Sequence, residues 1–253
     1  MARRFIVDNQ DIKYFSKEEN IIEIKGKEVK HIQVLRHDVG DVIIVNEYVC
    51  KILHNAYIEL QVLSNAKKQG EPSIDLTFFV SVLKGDKMDF VIQKSVELGV
   101  KNIVPFISKN TVVRLDEKGK CKKRDKYQII ANEACKQCGR TDMVNVLDII
   151  NLDLSLLDML SEFDICIFAY ENEKNKNSLH EVMEVAKKKN YKKIAMIVGP
   201  EGGFTQDEAS DIKSNDKCEC VSLGSRILRA ETAAINLMSV VMYELDNGEV
   251  ENN

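Results

Sequence analysis

The sequence contains no apolar run of the ~18–20 residues that a membrane-spanning helix needs. Near its start, Arg3 and Arg4 are followed by only three apolar residues before Asp8, so the apolar core of a secretory signal is missing as well. Seven cysteines, an odd number in a chain without an export signal, favour reduced thiols over a disulfide framework. We therefore expect a soluble, cytoplasmic protein.

Signatures of metal or nucleotide binding are also missing. The four histidines form no ligand cluster. Cys135-x-x-Cys138 lies in the helical pattern 129–139 and Cys218-x-Cys220 lies in a strand-like run, so neither pair matches a zinc ribbon. The chain has neither the Gly-Lys-Ser/Thr ending of a P-loop nor a Gly-x-Gly-x-x-Gly after an early strand. We expect no metal site and a ligand site of another type.

Charge is distributed unevenly along the chain. The formal net charge is −4, yet residues 1–70 carry +1, residues 71–140 carry +5 and residues 141–253 carry −10. The densest basic stretch is 118–126. A local basic surface binds RNA phosphates even on an acidic protein. Two interpretations of the stretch remain open, an RNA-binding surface and a solvated loop.

Two parts with different sequence patterns meet near Gln69, Gly70, Glu71 and Pro72. Before this point short alternating β patterns at 42–45, 51–53 and 57–63 occur without a long helix, which predicts a small β-barrel. After it, strands and helices alternate, which predicts a parallel sheet covered by helices. The predicted elements of this second part are strands 74–83, 102–107 and 165–170 and helices 87–98, 124–138 and 179–189. The expected fold class is α/β, with domains at 1–70 and 71–253.

Two glycine-centred loops near the C-terminus are the most informative features. Loop 199–204, Gly-Pro-Glu-Gly-Gly-Phe, follows the apolar run 194–198, and loop 223–228, Leu-Gly-Ser-Arg-Ile-Leu, follows the run 218–223. Each loop leads into a helical pattern. Two strand–loop–helix units therefore converge on one end of a parallel sheet, where open α/β sheets bind small ligands.

The first of these loops allows two interpretations from its residues alone. Thr205 and Glu208 form a capping-box pattern, so the glycines can serve a tight turn that leads into a helix cap. Alternatively, the helix N-terminus attracts an anion such as phosphate. Glu201 in the loop opposes the second interpretation.

The two glycine loops, together with several other segments along the chain, resemble the ribosomal RNA small subunit methyltransferase E family. The strongest likeness lies in loop 199–204 and in the stretch 223–233, which ends Arg-x-Glu-Thr-Ala. Further similar segments lie at 3–7, 31–36 and 40–41, at 94–100 with Ile103 and Pro105, and at 133–134 with Gln137 and Arg140. The likeness extends over nearly the whole chain.

The resemblance implies a fold and an activity. The fold would be a C-terminal SPOUT α/β domain with a deep trefoil knot, preceded by a small N-terminal PUA-like β-barrel that binds RNA. The activity would be methylation of N3 of a specific uridine in 16S ribosomal RNA, with S-adenosyl-L-methionine as cofactor. The implied partners are 16S rRNA or the small ribosomal subunit and, in a homodimer, a second copy of the chain packed through the helix after Glu231.

The resemblance also assigns residues to roles. Three loops would hold the cofactor, and their residues are Ala169, Tyr170, Val198, Gly199, Pro200, Glu201, Gly202, Gly203, Leu223, Gly224, Ser225, Ile227 and Leu228. RNA would be bound by Arg3, Arg4, Arg36, Lys84, Lys94 and Arg140. The family usually has an arginine where this chain has Asn110, a proline where 141–144 has none, and a glycine in the turn at 46–48. The first difference affects an RNA or active-site contact, and the other two affect loops.

The chemistry of uridine N3 selects candidate catalytic residues. This nitrogen carries a proton at neutral pH, so methylation needs a base or stabilisation of the deprotonated ring. Glu231 is the candidate base, although a carboxylate in a first helical turn is also explained by the helix dipole. Arg226 or Arg229 would stabilise negative charge on the uracil carbonyls. Because N3 is hidden in a duplex, the target nucleotide must be unstacked or flipped.

Two further functions remain open from the sequence. Another SPOUT activity, such as ribose 2′-O methylation of tRNA, would use the same cofactor loops. A non-catalytic RNA-binding protein would need neither of them.

Overall fold

The computed structural model describes residues 3–7, 9–16, 20–66, 70–170 and 177–246. The chain divides into two compact units. The first comprises Met1–Glu71 and Cys135–Asp142, and the second comprises Pro72–Ala134 and Met143–Asn253. Part of the predicted boundary, including Gln69, lies outside the described residues. No helix among the described residues is both long and apolar enough to cross a bilayer.

The first unit contains a six-stranded sheet with the order β1-β4-β5-β6-β3-β2. The strands are β1 Arg4–Phe5, β2 Ile12–Ser16, β3 Ile21–Ile24, β4 Val42–Val45, β5 Tyr48–His54 and β6 Ile58–Asn65. A 3₁₀ turn, Asn9–Asp11, and the helix α1, Lys27–Val34, complete the unit's regular elements within 3–66. Alternate residues of the strands pack with Ile32 of α1 into one apolar core. In the described part of the chain β1 and β2 are edge strands and the sheet does not close on itself.

The second unit contains a sheet in which every described strand pair is parallel. Its strands are β7 Asp75–Ser81, β8 Asn102–Ile107, β9 Asn145–Val146, β10 Ile150–Asn151, β11 Ile165–Ala169, β12 Asn177–Ser178, β13 Lys193–Val198 and β14 Cys218–Ser222. Their order is β10-β8-β7-β13-β11-β14-β12, with β9 paired to β8. The prediction of a parallel sheet with alternating helices is confirmed.

The remaining helices are α2 Lys87–Glu97, α3 Glu117–Cys138, α4 Leu154–Leu160, α5 Leu179–Lys188, α6 Gln206–Lys213 and α7 Ala230–Leu245. The helices α2, α5, α6 and α7 begin within a residue of their predicted start, and α4 was not predicted. Helix α3 begins at Glu117 instead of Arg124. The lysine-rich stretch 118–126 is therefore helical, and its interpretation as a solvated loop is wrong. Its first turn is capped by Asp116, whose side chain accepts the Gly119 N–H at 2.8 Å.

The sheet order brings the glycine loops together. Strand β11 lies between β13 and β14, in register from Ile165 opposite Ile194 and from Cys166 opposite Cys218. Because the three strands are parallel, the loops that leave β13 and β14 emerge at the same edge. The loop after β7, which leads into α2, emerges there too, because β7 pairs with β13. The convergence predicted from the sequence is confirmed.

Local signals explain where α6 begins. The Thr205 hydroxyl accepts the Glu208 N–H at 3.3 Å, and a Glu208 carboxylate oxygen accepts the Thr205 N–H at 2.9 Å. This is the predicted capping box, which satisfies backbone donors at the start of a helix. Glu208 is 5% exposed, and its other oxygen accepts the Lys109 N–H at 2.7 Å. One buried carboxylate therefore fixes both the start of α6 and the loop after β8.

Candidate functional site

Two adjoining cavities lie at the carboxyl ends of β7, β11, β13 and β14. The larger encloses about 370 Å³, and its lining residues are Lys84, Lys87, Ala169, Val198, Gly199, Pro200, Glu201, Gly203, Phe204, Ile227, Leu228, Arg229, Ala230 and Ala233. The smaller encloses about 130 Å³, and its lining residues are Ala169, Tyr170, Val221, Ser222, Leu223, Gly224, Ser225, Arg226, Ile227, Leu228 and Ala233. Four residues line both cavities, so we treat the two as one strand-end site.

The strand-end site collects twelve of the thirteen residues assigned to the cofactor, all except Gly202. Ile227 is 89% exposed although it is apolar, and it lines both cavities. Small-molecule sites are lined largely by apolar side chains, so an exposed apolar side chain at a cavity is a candidate ligand contact. The third implied cofactor loop, after Tyr170, continues into 171–176, which lie outside the described residues.

Glycines in loop 199–204 are required by close contacts. A Cβ on Gly199 would lie 2.5 Å from the Phe204 ring, and Gly203 adopts φ +68° while its N–H donates to the Pro200 carbonyl at 3.0 Å. A Cβ on Gly202 would meet the Cβ and backbone oxygen of Asn110 at 3.1 and 3.3 Å. The side of Gly202 that would carry a Cβ therefore faces the loop after β8, and the contact of its backbone with the cofactor remains a prediction.

Asn110 holds the glycine loop from outside. Its side-chain amide donates to the carbonyls of Gly202 and Gly203 at 3.2 and 3.1 Å. The neighbouring Thr111 is 1% exposed, and its hydroxyl lies 2.8 Å from Ser81 Oγ and accepts the Ser108 N–H at 2.8 Å. The position at which the family usually has an arginine therefore contacts the loop through a well-anchored amide.

Lys87, which the sequence did not single out, lies between two carboxylates. Its Nζ is 3.2 Å from Glu231 Oε2 and 3.8 Å from Glu201 Oε1. Glu231 Oε2 is buried and has no hydrogen-bond partner, so its contact with Lys87 is an ion pair whose geometry does not meet that of a hydrogen bond. Lys87 lines the larger cavity, whereas Glu231 lines a groove along α7.

Glu231 is poorly suited to act as a general base. Burial raises its pKa, but a hydrogen bond from its own N–H and the cations of Lys87 and Arg229 outweigh that effect and hold the pKa below its ordinary value. An efficient base has a pKa near the working pH. Glu231 also lines neither cavity of the strand-end site and pairs with Lys87, so an anchoring role stands beside the catalytic role, which remains a prediction.

Two arginines are available at the site. Arg229 is the N-cap residue of α7 and lines the larger cavity, and Arg226 lines the smaller one. Both side chains are exposed, and within the described ranges neither forms an ion pair closer than 4.0 Å. Their guanidinium groups can therefore face a bound substrate.

The residues expected to bind RNA occupy different environments. In the first unit Arg3 and Arg36 are exposed, and Arg4 donates to the Asn46 carbonyl at 3.0 Å. In the second unit Lys84 is exposed at the cavity rim, and Lys94 is paired with Glu97 at 2.8 Å.

Arg140 does not have the environment of an RNA-binding residue. It is 3% exposed, and its Nη2 and Nε donate to Glu71 Oε2 at 2.8 and 3.3 Å. The other Glu71 oxygen accepts the N–H groups of Thr141 and Asp142 at 2.7 and 2.8 Å. The guanidinium is thus enclosed and engaged by a carboxylate in the free protein, and its assignment to RNA binding remains a prediction.

A wide groove runs along the outer face of α7. It encloses about 820 Å³ between α7 and Phe90 of α2, with Ile235, Val240 and Tyr243 among its lining residues. Tyr243 is 86% exposed and Phe90 is 45% exposed. A large apolar surface of this kind is typical of a protein interface.

Three lining residues of the larger cavity were not assigned to the site from the sequence: Lys87, Ala230 and Ala233. One feature of the sequence could have identified Lys87 as a site residue. Lys87 opens a helix two residues after Gly85, so β7, this turn and α2 form a third strand–loop–helix unit at the same sheet edge. No clusters of His, Cys, Asp or Glu suited to hold a metal ion occur in the described ranges.

Comparison with known proteins defines the class of this molecule. A family model described as an RNA methyltransferase domain matches residues 70–242, which include both glycine loops and the whole strand-end site. The parallel sheet with a cavity at its carboxyl edge is thus the domain of an RNA methyltransferase.

Individual relatives narrow the class to one family. Proteins named Ribosomal RNA small subunit methyltransferase E from Bacillus subtilis (strain 168) and Aquifex aeolicus (strain VF5) are 32% and 30% identical to this chain over 232 and 230 residues. The alignments cover 88% of this chain in both cases, and 90% and 94% of the relatives. The chain belongs to the ribosomal RNA small subunit methyltransferase E family.

A solved structure agrees with this assignment. The crystal structure of a Ribosomal RNA small subunit methyltransferase E from Neisseria gonorrhoeae bound to S-adenosyl methionine is 28% identical, with a TM-score of 0.77. The match covers 96% of this chain and 97% of that chain. The two-sheet α/β architecture is therefore shared over nearly the full length.

Proposed function

We propose that this chain transfers a methyl group from S-adenosyl-L-methionine to N3 of one uridine in 16S ribosomal RNA. Family membership supports cofactor-dependent methylation of rRNA, and the Neisseria relative binds S-adenosyl methionine. The observation that carries the proposal is the pair of glycine loops, which form a cavity at the carboxyl edge of the sheet. An rRNA substrate implies that the enzyme works in the cytoplasm, where ribosomes assemble.

The strand-end site fits the proposed cofactor. Ligand sites of about 300–1,000 Å³ with apolar walls and a few polar groups are usual for small molecules. The larger cavity has about 370 Å³, with apolar walls from Val198, Phe204 and Leu228 and polar groups from Glu201 and the loop backbone. A buried Glu201 oxygen without a hydrogen-bond partner remains available to a ligand donor.

The proposed mechanism assigns one task to each group of residues. The cofactor, when bound, supplies an electrophilic methyl group. The glycine loops orient it and the apolar lining excludes water, so alignment accounts for much of the acceleration. Arg229, exposed at the cavity, stabilises negative charge on the uracil carbonyls as N3 loses its proton. Glu231 holds Lys87, and the N3 proton passes to solvent. Arg226, beside the smaller cavity, is a second candidate for the same charge.

Transfer of labelled methyl groups tests this function. Small-subunit RNA and assembled small subunits from a strain that lacks the enzyme are incubated with the protein and labelled cofactor, and the modified nucleotide is mapped. Label at one site in 16S rRNA supports the proposal, and comparison of the two substrates identifies the form that is recognised. Label in tRNA alone would favour the ribose-methylating alternative. Cofactor binding that is absent in calorimetry would favour a non-catalytic RNA-binding protein.

Substitution at Asn110 tests whether its amide supports the cofactor loop. Asn110→Ala removes two hydrogen bonds to loop 199–204, so we expect cofactor affinity to fall about fivefold, equivalent to about 1 kcal/mol. Gly202→Val should lower affinity further, because its side chain would push against Asn110. Calorimetry with S-adenosyl-L-methionine measures both effects. Lys109→Ala is the control, since this side chain is 62% exposed and should change little; unchanged affinity in Asn110→Ala would contradict the role of the amide.

Arg36→Ala tests RNA binding by the first unit. Arg36 is exposed, and guanidinium groups suit phosphates. We expect weaker binding to 16S rRNA with unchanged cofactor affinity. The slope of log binding constant against log salt concentration should fall by about one, as for the loss of one phosphate contact. Filter binding at several salt concentrations measures the slope. An equal loss of cofactor affinity would instead indicate misfolding.

Finer features of the architecture belong to the same proposal. We propose that residues 1–70 form a PUA-like RNA-binding barrel and that residues 71–253 form a SPOUT domain with a trefoil knot in its C-terminal part. In the first unit every described strand pair except β1–β4 is antiparallel, and this open sheet would supply the strands of the barrel. The strand order β13-β11-β14 of the second unit is compatible with the SPOUT assignment.

We also propose that the protein is a homodimer with the α7 groove as its interface. The groove is large, lies on the outer face of α7 and exposes Tyr243 and Phe90. A second copy of the chain would cover these side chains. Sedimentation analysis gives the mass in solution, and a monomer at micromolar concentration would contradict this assembly.

A further inference from the structure

One side chain, Lys87, joins three elements of the second unit that border the strand-end site. It is the first residue of α2, and its ammonium contacts Glu201 of loop 199–204 and Glu231 in the first turn of α7. The three residues are far apart in the sequence, so this contact exists only in the folded chain. The ammonium thus connects the first glycine loop to the helix that follows the second one.

The three charged side chains are partly buried. Side-chain exposure is 29% for Lys87, 18% for Glu201 and 17% for Glu231. One oxygen of each carboxylate is buried without a hydrogen-bond partner. Two partly buried carboxylates that share one cation repel each other when that cation is removed. The arrangement therefore depends on the ammonium more than an exposed ion pair would.

Glu201 also accepts a hydrogen bond from the turn that connects β7 to α2. Its Oε1 accepts the Lys84 N–H at 3.3 Å, just before Gly85, which adopts φ +60°. The turn before α2 and the first residue of α2 therefore both contact Glu201, the turn through the Lys84 N–H and the helix through the Lys87 ammonium. Lys84, Lys87 and Glu201 all line the larger cavity, so displacement of any of them changes its wall.

We propose that Lys87 is a positioning residue for cofactor binding, which holds loop 199–204 through Glu201 and the start of α7 through Glu231. The inference rests on the proposed function, because the ligand of this cavity is taken to be the cofactor. Lys87 acts through the loop and need not touch the reacting atoms. Its loss should therefore weaken cofactor binding more than it slows turnover at saturation.

Four variants test the proposal: Lys87→Met, which keeps the stem and removes the charge, Lys87→Arg, which keeps the charge, Glu201→Gln, and the double variant Lys87→Met/Glu201→Gln. We expect Lys87→Met to raise the dissociation constant for S-adenosyl-L-methionine about tenfold and to change kcat less than about threefold. Lys87→Arg should recover most of the affinity. The combined loss of affinity in the double variant should be smaller than the product of the two single losses, because both changes break the same contact.

A ligand-free measurement separates this inference from the proposed function. The Gly203 N–H, bonded to the Pro200 carbonyl, reports on the closed loop. Hydrogen exchange of the peptide that covers loop 199–204 should be about tenfold faster in Lys87→Met than in the parent. Lys101→Met is the matched control, since its ion pair with Asp75 lies at the amino ends of β7 and β8, away from the cavity. Thermal unfolding checks that all variants fold.

The outcomes are distinct. Parent-like affinity and exchange in Lys87→Met would overturn the inference, as would effects of Lys87→Met and Glu201→Gln that multiply in the double variant. If Lys87→Met did not fold, the other two single variants would decide. The inference would be overturned if Lys87→Arg lost cofactor affinity or if Glu201→Gln kept it. A parent protein that binds no cofactor but whose loop exchange depends on Lys87 would refute the proposed function and leave the contact itself supported.

Discussion

Replacement of Arg229 with alanine is expected to lower kcat by about 100-fold or more, with cofactor and RNA affinities within about threefold of the parent. Arg229 occupies the N-cap position of α7 without a side-chain cap, lines the larger cavity and is exposed, so its guanidinium can face a uracil carbonyl. Negative charge builds up on that carbonyl only as N3 is deprotonated and methylated. Single-turnover methylation of 16S rRNA at saturating cofactor measures the effect.

Two companion variants make the Arg229 result decisive. Arg229→Lys retains the positive charge and should recover part of the rate. Glu231→Gln should mainly weaken cofactor binding, because Glu231 pairs with Lys87 and has a lowered pKa. A 100-fold loss of kcat in Glu231→Gln with intact binding would restore Glu231 as the base, and normal turnover in Arg229→Ala would remove Arg229 from the mechanism.

Glu71→Ala is expected to destabilise the first unit by about 3–5 kcal/mol. Glu71 is the carboxylate partner of Arg140, which is 3% exposed, and it also accepts the N–H groups of Thr141 and Asp142. Its removal leaves a buried guanidinium without its carboxylate and two backbone donors without their acceptor. Urea unfolding followed by tyrosine fluorescence measures the change, since the chain contains no tryptophan.

An exposed ion pair of the same unit provides the control for Glu71→Ala. Lys25 is 54% exposed and lies 3.5 Å from Glu23, so Lys25→Ala should cost less than about 1 kcal/mol. Equal losses in the two variants would show that burial does not strengthen the Glu71–Arg140 pair. A stable Glu71→Ala variant with lower RNA affinity would return Arg140 to the RNA-binding surface.

Features with a strong local signal were predicted well from the sequence. The apolar runs before the glycine loops predicted β13 and β14, and the Thr205–Glu208 pattern predicted the start of α6, because a capping box depends on residues three positions apart. Helix α3 began earlier than predicted, since 118–126 has almost no apolar periodicity and its helical state depends on capping and solvated side chains. The strands β1, β2 and β3 were missed because their patterns are short or interrupted.

Contacts between distant residues account for what the sequence could not provide. Arg140 matches a family segment, but its burial depends on Glu71, 69 positions away. Gly202 belongs to the glycine motif, but its missing Cβ leaves space for Asn110 rather than a ligand. Lys87 acquires a role only when parallel pairing places the turn after β7 beside loop 199–204.

Nucleoside mass spectrometry of the reaction product tests the central claim most directly. Small-subunit RNA from a strain that lacks the enzyme is treated with the protein and with cofactor that carries a deuterated methyl group, then digested to nucleosides. We expect one labelled 3-methyluridine per 16S rRNA and no label in the parallel reaction with Arg229→Ala at short times. Label in a ribose 2′-O-methyl nucleoside, or no label in 16S rRNA under conditions in which the cofactor binds, would contradict it.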